Sequence, residues 1–178
     1  MASTTTPLRR WTKPKLTILE TLADLYCATP KDIAEYLKLR TPTLSEVRDI
    51  RAKLDRVRDH HPHATYVTKQ PYFMRTSLFG LSDAGARRAR EIMGIESARS
   101  FEIRDLDHEH IITRFHIKAR ALAIREGWGF AWEQNAIDHK RFINEDAQLT
   151  LTIKGKPFVF PVEPERQSFN ENHLKKAK

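Results

Sequence analysis

The chain has 178 residues, 40% of them hydrophobic and 30% charged, with a formal net charge of +8 and an isoelectric point near 9.7. That is material for one domain or two small ones, and the basic balance favours a polyanionic partner. The single cysteine, Cys27, excludes an intrachain disulfide, and no run of about 18 apolar residues is present to span a membrane.

The positive charge is uneven. Residues 1–93 carry 17 Lys/Arg against 10 Asp/Glu, a net of +7, whereas residues 94–178 carry 14 against 13. Any nucleic-acid contact is therefore expected in the first half. The N-terminal "MASTTTPLRRWTK" lacks the apolar centre of a secretory signal, so a cytoplasmic location is the expectation, and residues 1–13 read as a flexible arm.

Leu16, Leu19, Ala23 and Tyr26 then mark a helix over 14–27, with Cys27 as a buried hydrophobe. "ATPKDIAEYLKL" (28–39) starts a second helix, with Thr29 as N-cap, Pro30 in first position, and Ile33, Ala34 and Leu37 inward. "TPTLSEVRDIRAKLDR" (41–56) repeats that device with Thr41 and Pro42. Its inward stripe is Leu44, Val47, Ile50, Leu54 and Val57. A short helix, a tight turn and a longer helix make a helix-turn-helix. "ATYVTK" (64–69) and "SLFGLS" (77–82) read as a hairpin with a long tip, and 82–94 as a closing helix between Ser82 and Gly94. The whole of 14–94 is thus expected to be a winged helix-turn-helix.

Residues 95–104 read as a linker. A long helix follows over 104–128, with Ile112, Phe115, Ala119, Leu122 and Ala123 on its inward face. Strands are expected at 128–134, 147–155 and 156–163, the last two joined by a Lys154-Gly155 turn. Residues 105–169 would form a small α/β segment and 170–178 a polar tail. The fold class is therefore α+β.

At about 100° per residue, Ser45, Arg48, Ala52 and Arg56 fall roughly opposite the apolar stripe of the third helix, with Arg51 and Arg58 flanking. Thr41, Thr43 and Ser45 lie where a recognition helix meets base edges, and Arg reads guanine through a bidentate fork. On the hairpin, Lys69 and Arg75 are placed to neutralise phosphates. The opposing interpretation is a solvated face in which Asp49, Asp55 and Asp59 pair with the arginines. The histidines of "HHPH" (60, 61 and 63) lack a second ligand cluster, so no metal site and no cofactor are expected. Asp146, Glu163 and Glu165 are the one candidate catalytic set, since carboxylates on neighbouring strands can gather Mg²⁺.

The order of these features resembles the replication-relaxation family. "SLFGLSDAGARRA" is similar to its strand-to-helix segment after the wing. "LDHEHIITRFHIKARALAIREGWGFAWEQ" is similar to its Leu-x-His-Glu start, long helix and Gly-Trp and Trp-Glu strand. "EDAQLTLTIKGKPFVFPVEPERQS" is similar to its two acidic strands. The resemblance spans roughly residues 14–168. It implies a winged-helix domain followed by a truncated nuclease-like segment, in a DNA-binding protein of plasmids, phages or other mobile elements. Double-stranded DNA is the implied partner, with a homodimer or protein partner through 105–169. Two departures, no Pro before Asp146 and no Asp-x-Gly-Thr at 163–168, imply a segment without nuclease activity.

Overall fold

The computed structural model describes residues 11–60, 64–73, 76–102, 106–134 and 146–163, with the backbone alone at 137–138 and 143–144. The arm before residue 11, His61, His63, Arg75, Glu165 and the 170–178 tail lie outside the described residues. The chain is α+β and divides into two compact units, Met1–Ala121 and Leu122–Lys178. That division falls later than the connector at 95–104.

The first unit opens with α1 (Lys13–Leu25), β1 (Cys27–Ala28), α2 (Pro30–Lys38) and α3 (Leu44–Arg58). Tyr26, at φ 63°, reverses the chain from α1 into β1. Thr29 caps α2 as expected: its hydroxyl accepts the Asp32 N–H while the Asp32 side chain accepts the Thr29 N–H. The start of α3 differs from the expected Thr41-Pro42. Thr43 is the cap, in a reciprocal box with Glu46, because Thr43-x-x-Glu46 satisfies two orphan N–H groups where Thr41-Pro42 offers one oxygen. Leu44 is consequently the first residue of the helix and 77% exposed, while Ile50, Leu54 and Val57 are buried.

β2 (Val67–Pro71) and β3 (Ser77–Leu81) pair antiparallel from Val67↔Leu81 to Pro71↔Ser77. β1 joins the other side of β3, giving the order β1-β3-β2. Two residues are too few for periodicity to reveal β1 in the sequence. β3 is central and covered on both faces. Phe79 and Leu81 join the helical core around Leu19, Leu22, Leu25 and Leu54, while Leu78 packs with Cys27 and Phe101. The apparent linker is therefore part of the core: Ala98 and Phe101 are buried, and the Phe101 N–H donates to the Leu81 carbonyl over 2.7 Å. Gly80 makes room for this, since a Cβ there would collide with the Phe101 side chain. α4 (Asp83–Met93) runs between a Ser82 cap and Gly94 at φ 67°, as the sequence indicated.

α5 (Leu106–Glu126) buries only part of the face its hydrophobic residues define: Ile112 and Ala123 are inside as expected, but Phe115 and Leu122 are not. Ile112, Thr113, His116 and Ile117 are buried, whereas Phe115 is 46% exposed and Leu122 is also exposed. The reason is polar. The Thr113 hydroxyl lies 3.0 Å from the Leu25 carbonyl and 2.7 Å from that of Cys27, where α1 has ended and its carbonyls need partners. His116 packs edge-on to Tyr36 at 5.9 Å.

In the second unit β4 (Gly129–Gln134), β7 (Ala147–Ile153) and β8 (Lys156–Val162) form an antiparallel sheet in that order, and β5 (Ile137–Asp138) pairs with β6 (Ile143–Asn144). Lys154 and Gly155, at φ 50° and 78°, make the expected tight turn. Among the described residues no helix is long and apolar enough to cross a membrane.

Burial pushes the His116 imidazole down to about 4 from its ordinary 6.5. The unfolded chain thus takes up this proton first as pH falls. The stability associated with a neutral His116 is complete above pH 6.5 and is lost progressively down to about pH 4. At about 1.4 kcal/mol per pH unit the loss is on the order of 2–3 kcal/mol. Urea denaturation across that range should show the decline, and His116→Leu should flatten it.

Candidate nucleic-acid interface

α3 is the element on which the sequence-derived candidates converge. Ile50, Leu54 and Val57 hold it against α1 and the hairpin, which leaves Ser45, Arg48 and Arg56 exposed on the opposite arc and Arg51 exposed at its flank. The acids of the helix do not pair with these arginines. Asp49 meets Lys53 at 2.6 Å, Asp55 meets Arg58 at 3.2 Å, and Asp59 meets the same Arg58 at 2.9 Å. Arg48, Arg51 and Arg56 form no ion pair among the described residues. The solvated-face interpretation expected those acids to pair with arginines, and Asp55 and Asp59 do so with Arg58, whereas Asp49 takes Lys53 and Arg48, Arg51 and Arg56 receive none of them.

The N-terminal end of α3 is closed rather than open. Arg40 reaches across the turn to both Glu46 oxygens, at 2.7 and 3.1 Å. The Thr43 N–H and the Arg40 guanidinium hold the Glu46 carboxyl at about 2. Thr43 is thus engaged in its own cap. Thr41 is exposed in the connection before the helix and its carbonyl accepts from Arg40.

On the hairpin, Lys69 is exposed, its ammonium 5.9 Å from the Phe79 ring centroid. Tyr72 turns away from the tip: its hydroxyl donates to Asp107 at 2.8 Å and lies 3.3 Å from His110 Nδ1. Phe73 is 69% exposed. Of the α4 arginines, Arg88 pairs with Glu91 and Arg90 bonds the Ala98 carbonyl, while Arg87 is exposed. His60 is buried against Trp11, with rings 4.2 Å apart, and lies 2.9 Å from Lys15 Nζ.

A charged network that sequence reasoning missed stands behind α2 and α3. Asp32 is almost fully buried, with Thr29 Oγ1 at 2.6 Å, His110 Nε2 at 2.7 Å and Arg114 Nη1 at 2.7 Å. Burial alone would raise this carboxyl; the His110 and Thr29 contacts outweigh it and hold it far below the carboxylate range. Arg114 also meets Glu35 at 2.8 Å, and Lys118 meets Glu35 at 2.6 Å. Only the Thr29-x-x-Asp32 box was visible in the sequence, because the partners lie about 80 residues away. Burial likewise pushes the Cys27 thiol up to about 12, consistent with a packed, unreactive side chain.

In the second unit the register Ala147↔Val162 puts Asp146 and Glu163 at the same end of neighbouring strands, as the hairpin argument required. Glu165 lies outside the described residues. Among the described residues no three His, Cys, Asp or Glu side chains gather as metal ligands. No family model, curated protein or solved structure matches this chain.

Removing Arg114 leaves a buried acid short of its partner, a change that costs about 3–5 kcal/mol in fully buried pairs. Arg114 is partly exposed, so Arg114→Met should cost about 2–3 kcal/mol, read as a lowered urea midpoint with unchanged slope.

Proposed function

We propose that the N-terminal unit is a winged helix-turn-helix that binds double-stranded DNA, with α3 as recognition helix and the β2–β3 hairpin as wing. The observation carrying this reading is the division of charge on α3: Glu46, Asp49 and Asp55 are taken up by Arg40, Lys53 and Arg58, and Arg48, Arg51 and Arg56 remain exposed. The chain's positive balance in residues 1–93 supports it. The resemblance to the replication-relaxation family extends the proposal to a mobile-element protein acting in replication, mobilisation or transcription control without catalysis. Residues 105–169 would then serve a homodimer or a protein partner.

A second reading, a metal-dependent nuclease or relaxation accessory, draws on the shared strand end of Asp146 and Glu163. Plasmid incubated with Mg²⁺ or Mn²⁺ separates the two readings. The first expects no nicking; nicking abolished by Asp146→Ala and Glu163→Ala would replace it with the second.

Duplex binding at several salt concentrations tests the principal reading. Arg48→Ala should weaken a preferred site by about 1–3 kcal/mol more than random sequence. Lys69→Ala should weaken all sequences alike and lower the salt slope by about one. Both side chains are exposed, so folding stability should stay within about 0.5 kcal/mol. Unchanged affinity and salt dependence in both variants and in Arg56→Ala would leave a protein–protein module on the same scaffold.

A further inference from the structure

Within the N-terminal unit a cavity of about 540 Å³ opens between the start of α2, the middle of α3, the hairpin tip and α5. Its size is that of a small-molecule site, roughly 300–1,000 Å³. Pro30, Val47, Phe73 and Phe79 supply apolar walls. Asp32, His110 and Arg114 also reach the lining, but they are bonded to one another, so their charge is largely spent locally. Lys31 and Arg51 line it too, and neither forms an ion pair among the described residues. The site therefore has apolar walls and, in its lining, two cations unpaired among the described residues.

We propose that this cavity binds an aromatic carboxylate: a planar ring system held by Val47, Phe79 and Phe73, with its carboxylate on Arg51, and Lys31 as a second cation of the lining. An uncharged ring would leave both cations without a partner, and a small anion would leave the apolar walls wet. The guanidinium fork of Arg51 matches a carboxylate in the plane of the ring, and Phe73, mostly exposed, offers an aromatic ring to pack against it. One consequence rests on the DNA-binding reading: Arg51 lies on the exposed arc of α3, so a bound carboxylate withdraws a cation from DNA.

Calorimetric titration of the full chain tests the site with three probes: 2-naphthoate, naphthalene-2-carboxamide and acetate. Naphthoate should bind with Kd of about 1 mM or tighter, the carboxamide about tenfold more weakly, and acetate should give no binding heat. Arg51→Gln should bring naphthoate down to the level of the carboxamide. Val47→Trp, which fills the cavity, should abolish both, with circular dichroism reporting whether it folds; Arg51→Gln, on the surface, decides the matter if it does not. No binding of naphthoate at about 5 mM, equal affinity for naphthoate and carboxamide, or undiminished binding in Arg51→Gln overturns the proposal. Naphthoate should also compete with duplex DNA in the native chain and not in Arg51→Gln. A chain that binds naphthoate but no DNA overturns the DNA-binding reading and leaves the cavity assignment standing. Binding of both without competition overturns the coupling through Arg51.

Discussion

A carboxylate buried at the first turn of a helix must be compensated, and the compensation of Asp32 organises much of the N-terminal unit. Its own helix supplies Thr29; the remaining partners, His110 and Arg114, come from α5. Burial of an ionised acid without them would be prohibitive, so α5 is held against α2 by necessity of charge as well as by Ile112 and Ile117. Arg114 bridges on to Glu35, and Thr113 answers the carbonyls left at the end of α1. Together these contacts make the N-terminal part of α5 an integral piece of the unit that carries α2 and α3.

The same network reaches the hairpin. His110 lies between Asp32 and Tyr72, and Tyr72 also bonds Asp107, so the end of β2 is tied to α5. That tie turns Tyr72 inward and leaves Phe73 at the rim of the cavity beside α3. The proposed recognition helix and the proposed wing are thus fixed by one set of buried polar contacts, and the cavity is the space between the elements so fixed. Arg51 belongs to both surfaces, which is why the two proposals meet at that side chain.

The second unit follows a simpler rule. Ala147, Leu149 and Val162 are buried, whereas Phe158, Val159 and Phe160 are exposed along β8, an edge of its sheet. Pro157 and Pro161 lie four residues apart there, an even spacing, so both missing N–H groups fall on the same side of the strand. Since β8 pairs with β7 over its whole length, that side is the free edge, and the prolines weaken it as a template for another strand.

Local chemistry was legible from the sequence because it depends on neighbours in the chain. Thr29 and Ser82 cap, Gly94 terminates, Lys154-Gly155 turns, and a hairpin forms where one was expected, although its first strand runs over Val67–Pro71 and not 64–69. Thr43 shows the limit of even local rules, where two candidate caps compete and the one with a reciprocal acid prevails. What lay outside the sequence was every choice settled by a distant partner. β1 exists because β3 accepts it; Phe101 enters the core because Gly80 leaves space; α5 buries Thr113 and His116 in preference to Phe115 because the end of α1 presents carbonyls that need a donor. Periodicity counts polar residues as outward-facing, and only tertiary structure supplies the buried partners that make an inward polar residue favourable. The sequence by itself determined the longer elements, the caps at Thr29 and Ser82 and the location of the basic charge; the tertiary structure decided which arginines are left exposed, because it assigned each acid its partner.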